Sequence, residues 1–193
     1  MERSEQEIIR RDNLEKIKAL GIEPFPAAMY PVNALAADIK RDVITNEENE
    51  VTNFQEVCLA GRIMSRRVMG KASFAELQDS SGRIQLYVSR DDIAPGEDKA
   101  LYNTLFKKLL DLGDFVGVKG FVFNTRVGET SVHVKEFTFL GKSLRPLPVV
   151  KKDDDGNVYD GLTDPETRYR QRYVDLTVNP HVKEVFLKRT KLV

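Results

Sequence analysis

The chain has 193 residues, 41% of them apolar and including ten Phe and six Tyr, which is enough to build a real core in one large or two small domains. Thirty basic side chains balance thirty acidic ones, so overall basicity offers no argument for a nucleic-acid partner. One cysteine (Cys58), two histidines (His133 and His181) without zinc-ligand spacing, and no run of roughly 18 apolar residues argue against a disulfide framework, a metal site and a membrane span. The expectation is a soluble, cytoplasmic protein in which Cys58 is a small buried hydrophobe within an apolar strand.

The first predicted element is a charged helix over 5–20. Ser4 and Glu7 have capping-box spacing, and Gly21 with Pro24-Phe25-Pro26 ends the run. Its apolar residues Ile8, Ile9, Leu14, Ile17 and Leu20 spread over too wide an arc for a clean stripe. The helix reads as a docked or partly solvated appendage, with RNA-backbone contact by Arg10, Arg11, Lys16 and Lys18 as the functional alternative. Residues 27–50 are weakly patterned, with a short helix before the Asn46–Glu50 loop. Residues 1–50 are therefore expected to form an N-terminal helical extension.

From 51 to 145 the pattern changes. Strands are predicted over 56–69, 72–79 and 82–89, then a helix over 98–111, then strands over 114–124 and 130–140. Gly70-Lys71, Ser80-Ser81-Gly82 and Val127-Gly128-Glu129 mark the turns. The helix rests on Leu101, Leu105 and Leu109 at i, i+4, i+8. Three strands, a helix and two more strands is the order of the five-stranded OB barrel, whose outer sheet face and loops bind oligonucleotides. The fold class is thus mainly β with helices.

Alternation assigns the faces. Ala75 and Leu77 in one strand, and Ile84, Leu86 and Val88 in the next, form the inward rows. Phe74, Glu76 and Gln78, and Arg83, Gln85 and Tyr87, point outward. An aromatic ring stranded on a polar face beside an amide suits an unpaired base, which stacks on the ring and is read along its edge. Between Arg62 and Arg90 the chain carries six basic and two acidic side chains, so positive charge is local to this face. The competing explanation for Phe74 is packing under a loop at a barrel mouth.

Residues 146–160 read as a linker. Asp153, Asp154 and Asp155 lack the bidentate glutamate of a calcium loop and read as a solvated turn. Beyond it, Thr163 or Asp164 caps a helix with Pro165 in its first turn. Pro180 breaks that helix before a last one that runs to Val193 with no stop signal. Residues 161–193 are therefore expected to begin a further domain.

Four segments carry a resemblance: RRVMGKASFAELQDSSGRIQLYV (66–88), LGDFVGVKG (112–120), LRPLP (144–148) and LTDPETRYRQRYVDL (162–176). Together they closely resemble the N-terminal part of a bacterial-type class II lysyl-tRNA synthetase, over nearly the whole chain. The resemblance implies an OB barrel that binds the anticodon stem-loop of a lysine tRNA. It also implies that 161–193 holds the first helices of a class II catalytic domain, cut short. Phe74 would stack on the central anticodon uridine, Gln85 and Glu129 would read its Watson–Crick edge, and Arg67 would sit beside them. Arg66, Arg83 and His133 complete the expected nucleic-acid face. Glu129 also continues the outward row Ser131, His133, Lys135 of the last strand.

The full-length enzyme would be a homodimer that uses ATP and Mg2+ to join lysine to its tRNA through a lysyl-adenylate. The family's two ATP-binding motifs are not in this sequence, so no catalytic residue is assigned, and the chain alone is expected to bind no cofactor and not to aminoacylate. The alternatives are a free-standing OB module for single-stranded nucleic acid, and an aspartyl- or asparaginyl-type relative. The RYRQRYVDL segment and the 55-residue leading extension disfavour the latter.

Overall fold

The outward and inward rows expected at period two are the frame of the protein, which is described here from a computed structural model covering residues 3–148, 151–152, 158–159 and 161–193. Five strands, β1 (Val57–Met69), β2 (Ala72–Gln78), β3 (Arg83–Ser89), β4 (Phe115–Asn124) and β5 (Thr130–Gly141), close a barrel in the order β1-β2-β3-β5-β4. Closure uses one parallel pair, β3 with β5, and antiparallel pairs elsewhere. This is the OB arrangement. Burial alternates strictly along β2 and β3, so Ala75, Leu77, Ile84, Leu86 and Val88 fill the interior as expected.

Between β3 and β4 the chain forms a short helix, α3 (Arg90–Ile93), and then a wide helix over Leu101–Leu109. The wide helix departs from the expected α-helical spacing. Its last turn closes with Leu110 N–H donating to the Leu105 carbonyl at 2.9 Å, five residues back. A π-type turn of this kind changes which positions share a face. Tyr102, Leu105, Phe106 and Leu109 are buried, while Leu101 is only partly so. Tyr102 and Phe106 stack at 5.6 Å, and Phe106 meets Phe137 edge-on at 5.5 Å, which joins the helix to the barrel core.

The leading segment packs with the barrel. Residues 1–146 pack as one unit. Helix α1 (Glu5–Ala19) has the expected Ser4–Glu7 capping box, but its buried stripe is Arg10, Asn13, Leu14 and Ile17. That is an i, i+3, i+4, i+7 face whose first half is polar, so apolar periodicity alone did not reveal it. Arg10 donates to the carbonyls of Ser143 at 2.8 Å and Leu112 at 2.9 Å, and Asn13 to Asp111 at 3.2 Å. Arg10 is thus committed to the protein and is withdrawn as a contact for RNA backbone. Helix α2 (Ala36–Asp42) buries Ala36 and Ile39 completely, and its first backbone N–H groups are capped by the β2–β3 turn.

The strand ends of β4 and β5 and the end of the wide helix meet at a buried ion cluster. The Lys142 side chain is 0% exposed and donates to the Leu109 carbonyl at 2.8 Å, Asp111 at 2.5 Å and Asp114 at 2.7 Å. Three donors on one ammonium meet three acceptors, which satisfies a charge that could not otherwise be buried. Cys58 is buried, as expected, and its backbone N–H donates to the Asn33 side chain at 2.7 Å.

Residues 147–193 form a second unit. It contains a two-strand hairpin, β6 (Lys151–Lys152) with β7 (Val158–Tyr159), and three helices, α4 (Pro165–Arg170), α5 (Arg172–Val178) and α6 (Pro180–Leu192). Asp164 caps α4 by accepting from Thr167 N–H at 2.7 Å, as its position predicts. Asp175 is buried between Arg168 at 3.0 Å and Arg172 at 2.5 Å. Asp153, Asp154 and Asp155 lie outside the described residues.

Candidate nucleic-acid interface

Phe74 is carried outward by the β2 alternation and is half-buried, with Tyr87 of β3 directly opposite it in the ladder. The two rings lie 5.4 Å apart at 58°. Beside Phe74 is a concavity of about 320 Å³, open to solvent, with space for a nucleobase. Phe74, Gln85, Glu129 and Arg67 all line it. Four residues from four stretches of sequence are thus brought to one place.

The register explains which arginine joins them. β1 carries a bulge between Ile63 and Ser65, after which Arg67 pairs with Phe74 and Arg66 with Ala75. The extra residue reverses the parity of the strand. Arg67 therefore shares the outer side with Phe74. Arg66 shares the inner side with Ala75, donates to the Phe106 carbonyl, and lies 5.8 Å from the Phe106 ring centre. Burial pushes its pKa down while Asp111 and Asp114 oppose the change. The structure does not bring Arg66 to the concavity.

The Gln85 side chain is held by a short relay. Gln85 Nε2 donates to Ser131 Oγ at 2.9 Å, and Ser131 Oγ donates to the Glu129 carbonyl at 3.2 Å. A hydroxyl has one proton; with that proton given to the carbonyl, Ser131 presents only lone pairs to Gln85 and so selects its amide nitrogen. The amide keeps one N–H and its carbonyl oxygen for a ligand. Glu129 ends the β4–β5 hairpin, where Gly128 N–H donates to the Thr125 carbonyl at 2.8 Å and Glu129 N–H to Thr125 Oγ1 at 3.0 Å. Gly128 has φ +85°, a conformation that suits glycine.

Two other expected residues lie on the same outer surface without lining the concavity. Arg83 is paired with Glu76 at 3.0 Å and bonded to Gln78 at 2.8 Å. His133 lies beyond Tyr87, 5.0 Å from that ring and stacked on Phe121 at 4.8 Å, with Nε2 2.8 Å from Asp92. Burial would push the Asp92 carboxyl up, but hydrogen bonds from Lys135 and His133 outweigh it and hold it at about 2. Phe123 extends this row of rings.

Three contributors were not foreseen. Lys40 of α2 and Ser65 of β1 line the concavity, and Ser131 orients Gln85. Ser131 was legible as a neighbour of Glu129 in the last strand; Lys40 had no signal, because its helix lies in the weakly patterned segment. Among the described residues, no group of three or more His, Cys, Asp or Glu could hold a metal ion.

Residues 57–140 match the tRNA anti-codon family, described as an OB-fold nucleic acid binding domain. The chain is 63% identical over 190 residues to a lysine–tRNA ligase of Porphyromonas gingivalis strain W83, covering 98% of this chain and 32% of that protein. It is 58% identical over 192 residues to the lysine–tRNA ligase of Christiangramia forsetii, with the same coverage. It is 57% identical over 189 residues to that of Azobacteroides pseudotrichonymphae, covering 98% of this chain and 37% of that protein. The chain thus spans about a third of the length of these relatives. Its barrel has the OB strand order and matches an OB-fold nucleic acid binding domain, and nearly the whole chain is similar to a stretch of lysine–tRNA ligases.

Proposed function

We propose that this chain recognises the anticodon of a lysine tRNA, as the tRNA-binding part of a lysine–tRNA ligase. The convergence of Phe74, Gln85, Glu129 and Arg67 on one concavity carries the reading. The ring provides a stacking surface that any base can use, and the edge groups discriminate. A uridine offers two carbonyl acceptors and an N3–H donor. The free amide N–H of Gln85 meets a carbonyl, and the Glu129 carboxylate accepts N3–H. Cytidine presents an unprotonated N3 to that carboxylate, so two acceptors face each other. Arg67, exposed on the rim, is placed for a phosphate or base contact.

In this reading the full-length protein joins lysine to tRNA with ATP and Mg2+ and acts as a cytoplasmic homodimer. Its similarity to the ligases supports this. No residue described here is assigned to lysine, ATP or Mg2+. No described helix is long and apolar enough to cross a membrane.

The test is a titration of the full chain with anticodon hairpin RNAs that differ only at the central base, at one fixed salt concentration. A hydrogen bond to a charged group contributes about 1.5–3 kcal/mol, so uridine should be preferred to cytidine by at least about tenfold. Equal affinity for the two hairpins would refute the edge-reading assignment.

A further inference from the structure

The concavity is not made by the barrel alone. Lys40, which lies outside the matched residues 57–140, reaches it from α2, and its ammonium is 3.3 Å from Glu129 Oε1 across 89 residues of sequence. Helix α2 is firmly seated. Ala36 N–H donates to Asp79 Oδ2 at 2.7 Å and Ala37 N–H to Ser81 Oγ at 3.0 Å, while Ile39, adjacent to Lys40, is fully buried. Glu129 differs in this respect. Its backbone is fixed by the hairpin, but its side chain is 48% exposed. A long, exposed carboxylate samples several rotamers, and only some of them aim it at a base edge.

We infer that Lys40 is a positioning residue for nucleobase discrimination: it holds the Glu129 carboxylate in the orientation that accepts a uridine N3–H and rejects cytidine. The inference rests on the proposal that this concavity takes a pyrimidine base. It gives the leading segment a role in recognition, as the carrier of one wall of the site. An ion pair with both partners about half exposed stabilises one geometry only modestly, by an amount equivalent to a change of up to about fivefold. That is enough to tune selectivity without being needed for binding.

The experiment measures the affinities of wild type, Lys40→Ala, Lys40→Arg and Phe74→Ala for the uridine and cytidine hairpins across a salt series, with urea melts of each variant. Lys40→Ala should melt like wild type, because Lys40 is 44% exposed. It should lower the uridine-to-cytidine ratio about two- to fivefold, chiefly by weakening the uridine hairpin, and Lys40→Arg should restore the ratio. A purely phosphate-binding lysine behaves differently: both hairpins weaken equally, and the salt slope falls by about one. That outcome would overturn the inference, as would an unchanged ratio. If Phe74→Ala leaves both affinities untouched, the base-binding reading itself is wrong and the role of Lys40 falls with it; if Phe74→Ala weakens binding but Lys40→Ala does not shift the ratio, only the inference fails.

Discussion

Replacing Phe74 by alanine separates a base-stacking ring from a core ring. On the outer face the ring loses one aromatic neighbour, Tyr87 at 5.4 Å and 58°, a pair worth about 0.5–1.5 kcal/mol. The core beneath is built from Ala75 and Leu77, which the substitution leaves in place. Unfolding free energy should therefore drop by about 1 kcal/mol, against about 3–5 kcal/mol for a deleted core aromatic. RNA affinity should fall by about 1–3 kcal/mol, the worth of one base–aromatic stack, which is roughly 5- to 150-fold in Kd. Urea melts and anisotropy titrations with the uridine hairpin on the same protein give both numbers. The cytidine hairpin should lose a similar amount, because stacking does not distinguish the two bases. A stability loss above about 3 kcal/mol with unchanged affinity, corrected for the folded fraction, would show that the ring serves the fold and would remove the support for Gln85 and Glu129.

Two further outcomes test the electrostatics. Lys142→Met should cost about 3–5 kcal/mol in denaturant melts, because it strands the fully buried Asp114 carboxylate without its cation; a cost below about 1 kcal/mol would refute the account of that cluster. Asp92 has a folded pKa of about 2, below its unfolded value, so the stability it contributes is present above about pH 4 and is lost as pH falls through 2. Asp92→Asn should accordingly cost about 1 kcal/mol at neutral pH, since the half-exposed Lys135 pair is screened by solvent, and distinctly less at pH 2; an equal cost at both would contradict the ion-pair assignment.

The strands were legible because their information is local. Period-two alternation in β2 and β3 placed Ala75, Leu77, Ile84, Leu86 and Val88 inside and Phe74, Gln85 and Tyr87 outside, each a choice made by immediate neighbours. The leading helix was legible as a helix, docked or partly solvated, but the face it buries was not legible. Half of its buried stripe is Arg10 and Asn13, and polar residues enter a core only where acceptors such as the Leu112 and Ser143 carbonyls await them. The wide helix shows the same limit: its leucines signalled an apolar face, but the five-residue closure at Leu110 set which rings entered the barrel.

The amino-acid sequence alone therefore determined the order of elements, the inward and outward rows, and the candidates Phe74, Gln85 and Glu129, with Arg67 added by the family resemblance. Tertiary structure decided which of these meet and what else meets them. Alternation splits the adjacent Arg66 and Arg67, and a bulge in β1 decided which went where, sending Arg67 to the concavity and Arg66 to the Phe106 carbonyl. Barrel closure brought Ser131 under Gln85, and the capping of α2 by the β2–β3 turn delivered Lys40 to Glu129. Side-chain period is a property of a few consecutive residues, whereas strand register and helix docking depend on contacts between residues far apart in the chain, and no local pattern records them.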